Sequence, residues 1–164
     1  MKTLYILRHA KSSWKFEELS DHDRPLSKRG RSDAPLMGQE LSARGVNPTL
    51  IISSPAVRAL TTATLAGKEM GYDPDDIAVD ERIYGAGKED LLEVVRQTAD
   101  DVKHLMLVGH NEAISEFANM LSPQHVGSMP TAGVIGLEFD CDTWAEIKKE
   151  NANMLFYDFP KNYK

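Results

Sequence analysis

The chain has 164 residues, of which 41% are hydrophobic and 27% charged, with a net charge of −6 and an isoelectric point near 5.4. These proportions suit one soluble domain spanning residues 1–164 and argue against disorder or a membrane span; the acidic balance argues against a nucleic-acid partner, which calls for a basic face, but not against an anion held by a few focused arginines. A lone Cys141 leaves no intramolecular disulfide, and the first apolar run breaks at Arg8, too early for a signal peptide, so a reducing, cytoplasmic setting is expected.

The run Thr3–Leu7 (TLYIL) reads as a buried strand of a parallel sheet. A polar stretch from Lys11 to about Ser32 follows as a loop. Ala34, Met37 and Leu41 then recur at helical spacing, with Gly45 as the stop and Pro35 expected near the first turn. Leu50–Ile52 is a second short strand. Ser54 as N-cap and Pro55 at the first helical position announce the next helix, whose apolar face reads Ala56, Leu60, Ala63, Gly67 and Met70.

Residues 77–79 form a weak strand signal, and Leu91, Val94, Val95 and Ala99 an amphipathic helix. Leu105–Val108 is a further strand, ending at Gly109 and His110, followed by a helical stripe of Ile114, Phe117, Ala118 and Leu121. Val134–Phe139 and Met154–Phe159 read as late strands with an edge hairpin around residues 140–143. Strands alternating with helices predict an α/β fold, a three-layer α/β/α sandwich with a mostly parallel central sheet.

Ligands of open α/β sheets bind beyond the carboxyl ends of the strands. Arg8-His9, Arg58 and His110 fall at three such ends, remote in sequence yet expected to converge. Arg58 sits in the first turn of its helix, where side chains lean back over the strand end and where a cation is poorly placed against the helix dipole; a bound anion would offset that penalty. Two guanidiniums and two imidazoles around one tetrahedral anion read as a phosphoryl-transfer site without a metal or cofactor, since arginine forks match phosphate oxygens and neutral imidazole is a competent nucleophile. A metal site on His9 and His110 is the weaker alternative, because Arg8 repels a cation and no carboxylate pair stands near in sequence. His22, His104 and His125 lack the strand-end placement and are read as surface or core residues.

The segment LYILRHAKSSW, from Leu4 to Trp14, resembles the Arg-His-Gly signature of the histidine phosphatase superfamily, which includes the phosphoglycerate mutases. DRPLSKRG (23–30), SSPAVRALTTA (53–63) and VGHN (108–111) extend the likeness in the right order, and the Arg-His-Ala-Lys-Ser form is most similar to the small SixA-type phosphohistidine phosphatases. The resemblance implies a phosphoglycerate mutase-like fold and a phosphohistidine formed at His9, with Arg8, Arg58 and His110 on the phosphoryl oxygens. DERIYGAG (80–87) is similar to the mutase segment that carries the acid, which maps onto Glu81; Asp21 and Asp23 are alternative proton donors, and Ser12 and Ser13 candidate substrate contacts. Ala10 replaces a common glycine. Lys15 replaces the mutases' usual asparagine, and the long insertions that shape a sugar-phosphate pocket are missing, so a phosphorylated protein or small phosphorylated substrate is expected to be hydrolysed. The rivals are a mutase-like phosphotransferase and a binding module that recognises phosphate without cleaving it.

Overall fold

The computed structural model describes residues 1–164. Leu4 and Ile6 of the first strand (β1, Lys2–Arg8) bury on one face of the sheet and Tyr5 and Leu7 on the other, so the strand is covered on both sides. In chain order there follow α1 (Lys28–Ala43), β2 (Leu50–Ser53), α2 (Val57–Glu69), β3 (Ala78–Val79), α3 (Lys88–Arg96), β4 (His104–Gly109), α4 (Ala113–Leu121), β5 (Val134–Phe139) and β6 (Ala152–Asp158). The strands form one sheet in the order β3-β2-β4-β1-β5-β6. The first four run parallel to one another, while β5 and β6 are antiparallel to their neighbours.

Two apolar clusters sandwich this sheet. On one side Ala34, Met37 and Leu41 of α1 and Ala59, Ala63 and Ala66 of α2 meet Tyr5, Leu7, Met106 and Val108. On the other, Leu91, Val94 and Val95 of α3 and Ile114, Phe117 and Leu121 of α4 meet Leu4, Ile6, Leu105 and Leu107. The molecule is thus the expected three-layer α/β/α sandwich.

The topology also makes a switch point. From β1 the chain passes by way of α1 to β2, on the far side of β4; from β4 it passes by way of α4 to β5, on the far side of β1. The two connections leave on opposite faces and open a crevice between the carboxyl ends of β1 and β4.

Several local expectations shift. Helix α1 begins at Lys28, capped by the Ser27 hydroxyl, which accepts from Gly30 N. Pro35 therefore lies in its interior. The first turns escape an apolar-period reading because what they bury is Gly30, Asp33 and Ala34. Ser54 does not cap α2, which starts at Val57 after Ala56; its hydroxyl instead accepts from Ala56 N and pairs with His110. The buried face of α2 runs through Ala59, Thr62, Ala63 and Ala66, leaving Leu60 half-buried. Ala99 lies beyond the end of α3. In place of a tight hairpin, residues 140–151 join β5 to β6 through two short 3-10 turns, because Trp144 and Ile147 of that link bury completely.

Helices α1 and α2 touch backbone to backbone at Gly38, where a Cβ would stand 2.5 Å from the Ala66 carbonyl oxygen and 2.8 Å from its Cα. Gly38→Val is expected to lower unfolding stability by roughly 1–3 kcal/mol, as overpacking of a rigid contact does, measured by urea denaturation; an unchanged midpoint would show that the helices can separate freely.

Candidate active site

The pairing of β1 with β4 sets Arg8 opposite Gly109, and His9 N donates to the Gly109 carbonyl at 3.0 Å. The next residue of each strand end is a histidine, and the two rings lie side by side with centroids 5.1 Å apart. Ser54 N donates to Val108 O, tying the end of β2 to the same edge. The Ser54 hydroxyl meets His110 Nε2 at 2.7 Å. Arg58, second residue of α2, is 6% exposed and leans back toward this edge, as a first-turn side chain should. Thr62, one turn on, locks helix to strand end: its hydroxyl donates to Arg58 O and accepts from Ala10 N.

The structure therefore brings Arg8, His9, Arg58 and His110 into the wall of one hollow of about 240 Å³. A second hollow of about 300 Å³ adjoins it, sharing Arg58, His110 and Asn111 and adding Asp21, Tyr84 and Glu112. The largest surface hollow, about 720 Å³, is an open polar groove that reaches only Asn111 and Glu112 of these residues.

Burial sets the charge state of the pair. It drives the pKa of His9 down to about 3; the Ala10 hydrogen bond opposes the shift, and charge repulsion from His110 (once protonated at low pH), Arg58 and Arg8 adds to it. Burial likewise takes His110 down to about 4, with Arg58 the next cause. Both rings are neutral near pH 7. His9 Nδ1 lies 2.7 Å from the Ala10 carbonyl, which can only accept, so Nδ1 carries the proton and Nε2 presents a lone pair.

The cations are partly engaged. Arg8 Nη1 donates to Met129 O at 2.8 Å. Arg58 donates through Nη1 to the Asp21 carbonyl and through Nη2 to its carboxylate at 3.0 Å. Arg8 Nε, Arg58 Nε and His110 Nδ1 are buried with no protein partner. The Tyr84 hydroxyl donates to Asp21 at 2.7 Å, and this bond, with Arg58 behind it, lowers the Asp21 pKa to about 2.

Of the other expected site residues, Ser12 lines the first hollow and its hydroxyl accepts from Arg24. Ser13 is buried, but its hydroxyl accepts from Lys15 N within its own loop. Asp23 faces solvent beside His22, 3.4 Å away. Glu81 is not brought to the pocket: the 3-10 turn of residues 81–83 buries Ile83 and leaves Glu81 exposed, outside both hollows. No three His, Cys, Asp or Glu side chains gather where they could hold a metal ion, and no helix is long and apolar enough to cross a membrane.

Sequence reasoning missed Arg24, Trp14 and Tyr84. Arg24 is 8% exposed, reaches Asp21 at 3.3 Å, and lies over the Trp14 ring at 3.6 Å. Nothing in local spacing separates it from Arg29 or Arg31 in the same polar stretch. Only the fold back of that stretch onto α2 does so.

Residues 4–104 match the profile of the histidine phosphatase superfamily, branch 1. The chain belongs to the histidine phosphatase superfamily. An uncharacterised chloroplast protein of Arabidopsis thaliana is 33% identical over 153 residues, covering 88% of this chain and 70% of its own. Among solved structures, a candidate SixA phosphohistidine phosphatase from Agrobacterium tumefaciens superposes with a TM-score of 0.82 at 25% identity, covering 97% of this chain and 98% of that one. The protein histidine phosphatase SixA complexed with tungstate superposes with a TM-score of 0.76 at 19% identity over 99% of each chain. This member of the superfamily thus has the phosphoglycerate mutase-like fold of its SixA neighbours.

With pKa values near 3 and 4, the His9 and His110 ring resonances should hold their neutral positions from about pH 8 down to about pH 5 in an NMR titration, where an ordinary imidazole changes near ~6.5. The unfolded chain binds protons at these two rings that the folded chain refuses. Stability should accordingly decline as pH falls from about 6.5 toward 4 and then 3, and His9→Gln and His110→Gln should each flatten that decline.

Proposed function

We propose that the protein is a phosphatase that hydrolyses a phosphate monoester or a protein phosphohistidine through a phosphohistidine intermediate at His9. The observation that carries this reading is a neutral imidazole with its Nε2 lone pair free, flanked by a second neutral imidazole and two guanidiniums in one hollow. Family membership supports the same class of chemistry, as does the tungstate, a tetrahedral oxyanion, bound by a fold neighbour.

In the first step His9 Nε2 attacks phosphorus in line, forming a P–N bond as the bond from phosphorus to the leaving oxygen or nitrogen breaks. Arg8, Arg58 and His110 hold the equatorial oxygens, where charge collects. In the second step water attacks the phosphohistidine, its oxygen joining phosphorus while the P–N bond breaks. Inorganic phosphate leaves and His9 is neutral again. The two guanidiniums of this chain supply the positive field, neutral His110 can add only a hydrogen bond, and the scheme calls on no metal ion or other cofactor.

Asp21 is the carboxylate we assign to the proton. It lines the second hollow beside Arg58 and His110, whereas Asp23 and Glu81 do not. At rest Tyr84 and Arg58 keep it ionised. A phosphoryl dianion arriving at Arg58 competes for that guanidinium and adds negative charge beside Asp21, and both effects raise its affinity for a proton. A protonated Asp21 then serves an alkoxide leaving group, and the carboxylate left behind takes a proton from the attacking water. An imidazole leaving group needs less of this help.

His9→Ala should abolish turnover of phenyl phosphate, and acid-sensitive, alkali-stable label from the wild type quenched during turnover should map to residue 9. Undiminished hydrolysis by His9→Ala with no adduct would reject the mechanism. Asp21→Asn should reduce kcat/KM for an alkyl phosphate by roughly 10²–10⁴-fold, the usual contribution of a general acid, with a smaller loss for a phosphohistidine peptide. Glu81→Gln should stay near wild type; the reverse ranking would move the proton to Glu81. Transfer of phosphate to a sugar acid in preference to water would mark a mutase.

A further inference from the structure

The hollow that gathers Arg8, His9, Arg58 and His110 has one apolar residue in its wall, Trp14. That indole is 72% exposed, the most exposed large apolar side chain of the molecule. It is not loosely hung. The Arg24 guanidinium lies over the ring at 3.6 Å, and Arg24 is itself buried and held by the Ser12 hydroxyl and the Asp21 carboxylate. Asp21 in turn holds Arg58. An exposed aromatic ring is thereby fixed, by a chain of charged contacts, to the groups expected to grip the phosphoryl oxygens.

Folding alone does not call for a tryptophan here. An indole left mostly in water forgoes most of the stabilisation its burial would bring, and Arg24 already has Ser12 and Asp21 as partners. A phosphate pocket needs no apolar wall either, because the oxygens are met by arginine and histidine. What such a ring supplies is a flat face at the mouth, pre-set in position, against which a second flat ring can stack with little loss of side-chain freedom.

Resting on the phosphatase reading above, we propose that Trp14 is a specificity-determining residue that stacks on the group bearing the phosphoryl, and that this group is a flat unsaturated ring. Two sources share that chemistry, the imidazole of a phosphohistidine and the phenol ring of an aryl phosphate. Stacking on Trp14 favours both over an alkyl or polyol phosphate, which has no π-face to offer.

The test compares two unreactive ligands, phenylphosphonate and methylphosphonate, as competitive inhibitors of wild type, Trp14→Ala, Trp14→Leu and Trp14→Phe. Stacking is typically worth a few-fold to about tenfold or more in binding. We expect Trp14→Ala and Trp14→Leu to weaken phenylphosphonate by about tenfold more than methylphosphonate, and Trp14→Phe, which keeps a ring, to restore most of the difference. A second readout is independent of activity. The chain has two tryptophans, and Trp144 is fully buried, so phenylphosphonate should quench the solvent-exposed Trp14 emission while methylphosphonate leaves it nearly unchanged.

Equal weakening of both phosphonates by Trp14→Ala, or no weakening of either, would overturn the proposal and leave Trp14 as packing for Arg24. So would a Trp14→Ala loss for glucose 6-phosphate as large as that for phenylphosphonate. Failure of the parent reading looks different: His9→Ala would then hydrolyse phenyl phosphate at the wild-type rate, whatever the Trp14 variants do. Turnover of phosphohistidine and phosphotyrosine peptides by wild type and Trp14→Ala separates the two sources, since the larger selective loss identifies the ring that stacks.

Discussion

The parallel pairing of β1 with β4 is the constraint on which the site depends. Its register sets Arg8 opposite Gly109 and makes the next residue of each strand an imidazole at the same sheet edge. Everything else in the pocket is arranged around that pair. Ser54 braces His110 from the end of β2, and Thr62 joins α2 to the backbone after His9. Arg58 enters from the start of the same helix. A register slip of one residue would turn one histidine away and dissolve the constellation, because side chains alternate between faces along a strand.

The electrostatics follow from packing these groups out of water. Two arginines beside two imidazoles make protonated histidine costly, and burial does more than the neighbouring charges to keep both rings neutral. Neutrality is what a nitrogen nucleophile needs. Asp21 meanwhile offsets the charge of Arg58 and Arg24, holding the guanidiniums in place before any anion arrives. The acidic net charge of the chain and the cationic pocket are compatible for this reason: a few oriented groups in a low-dielectric recess outweigh a distant surface excess.

The long segment between His9 and α1 is the least regular part of the site and the most informative about substrate. It folds back so that Ser12, Trp14, Asp21 and Arg24 all reach the two hollows, and it is anchored at its far end where Gly30 of α1 packs on the Lys11 backbone. A Cβ at Gly30 would overlap the Lys11 carbonyl oxygen, so only glycine lets the helix approach this closely. Arg8, His9, Arg58 and His110 lie on strand ends and the first turn of α2, while the neighbouring wall with Trp14 and Arg24 is a loop.

The architecture and the gathering of four remote residues at one sheet edge were legible in the sequence. Apolar runs of strand length alternating with helical stripes specify a covered parallel sheet, and ligands at such sheets bind at strand ends, so Arg8, His9, Arg58 and His110 could be singled out from local signals. Helix α1's first turns were illegible because they bury glycine, aspartate and alanine instead of a large apolar stripe, and Ser54 carries the local pattern of a cap while serving His110. Which carboxylate reaches the pocket was decided by tertiary structure alone. Asp21 and Glu81 are alike as exposed acids in short 3-10 turns; one turn is folded onto Arg58 and Tyr84 and the other is held by the burial of Ile83. The same holds for Arg24 and Trp14, whose roles depend on contacts between residues far apart in the chain, and local spacing carries no information about those.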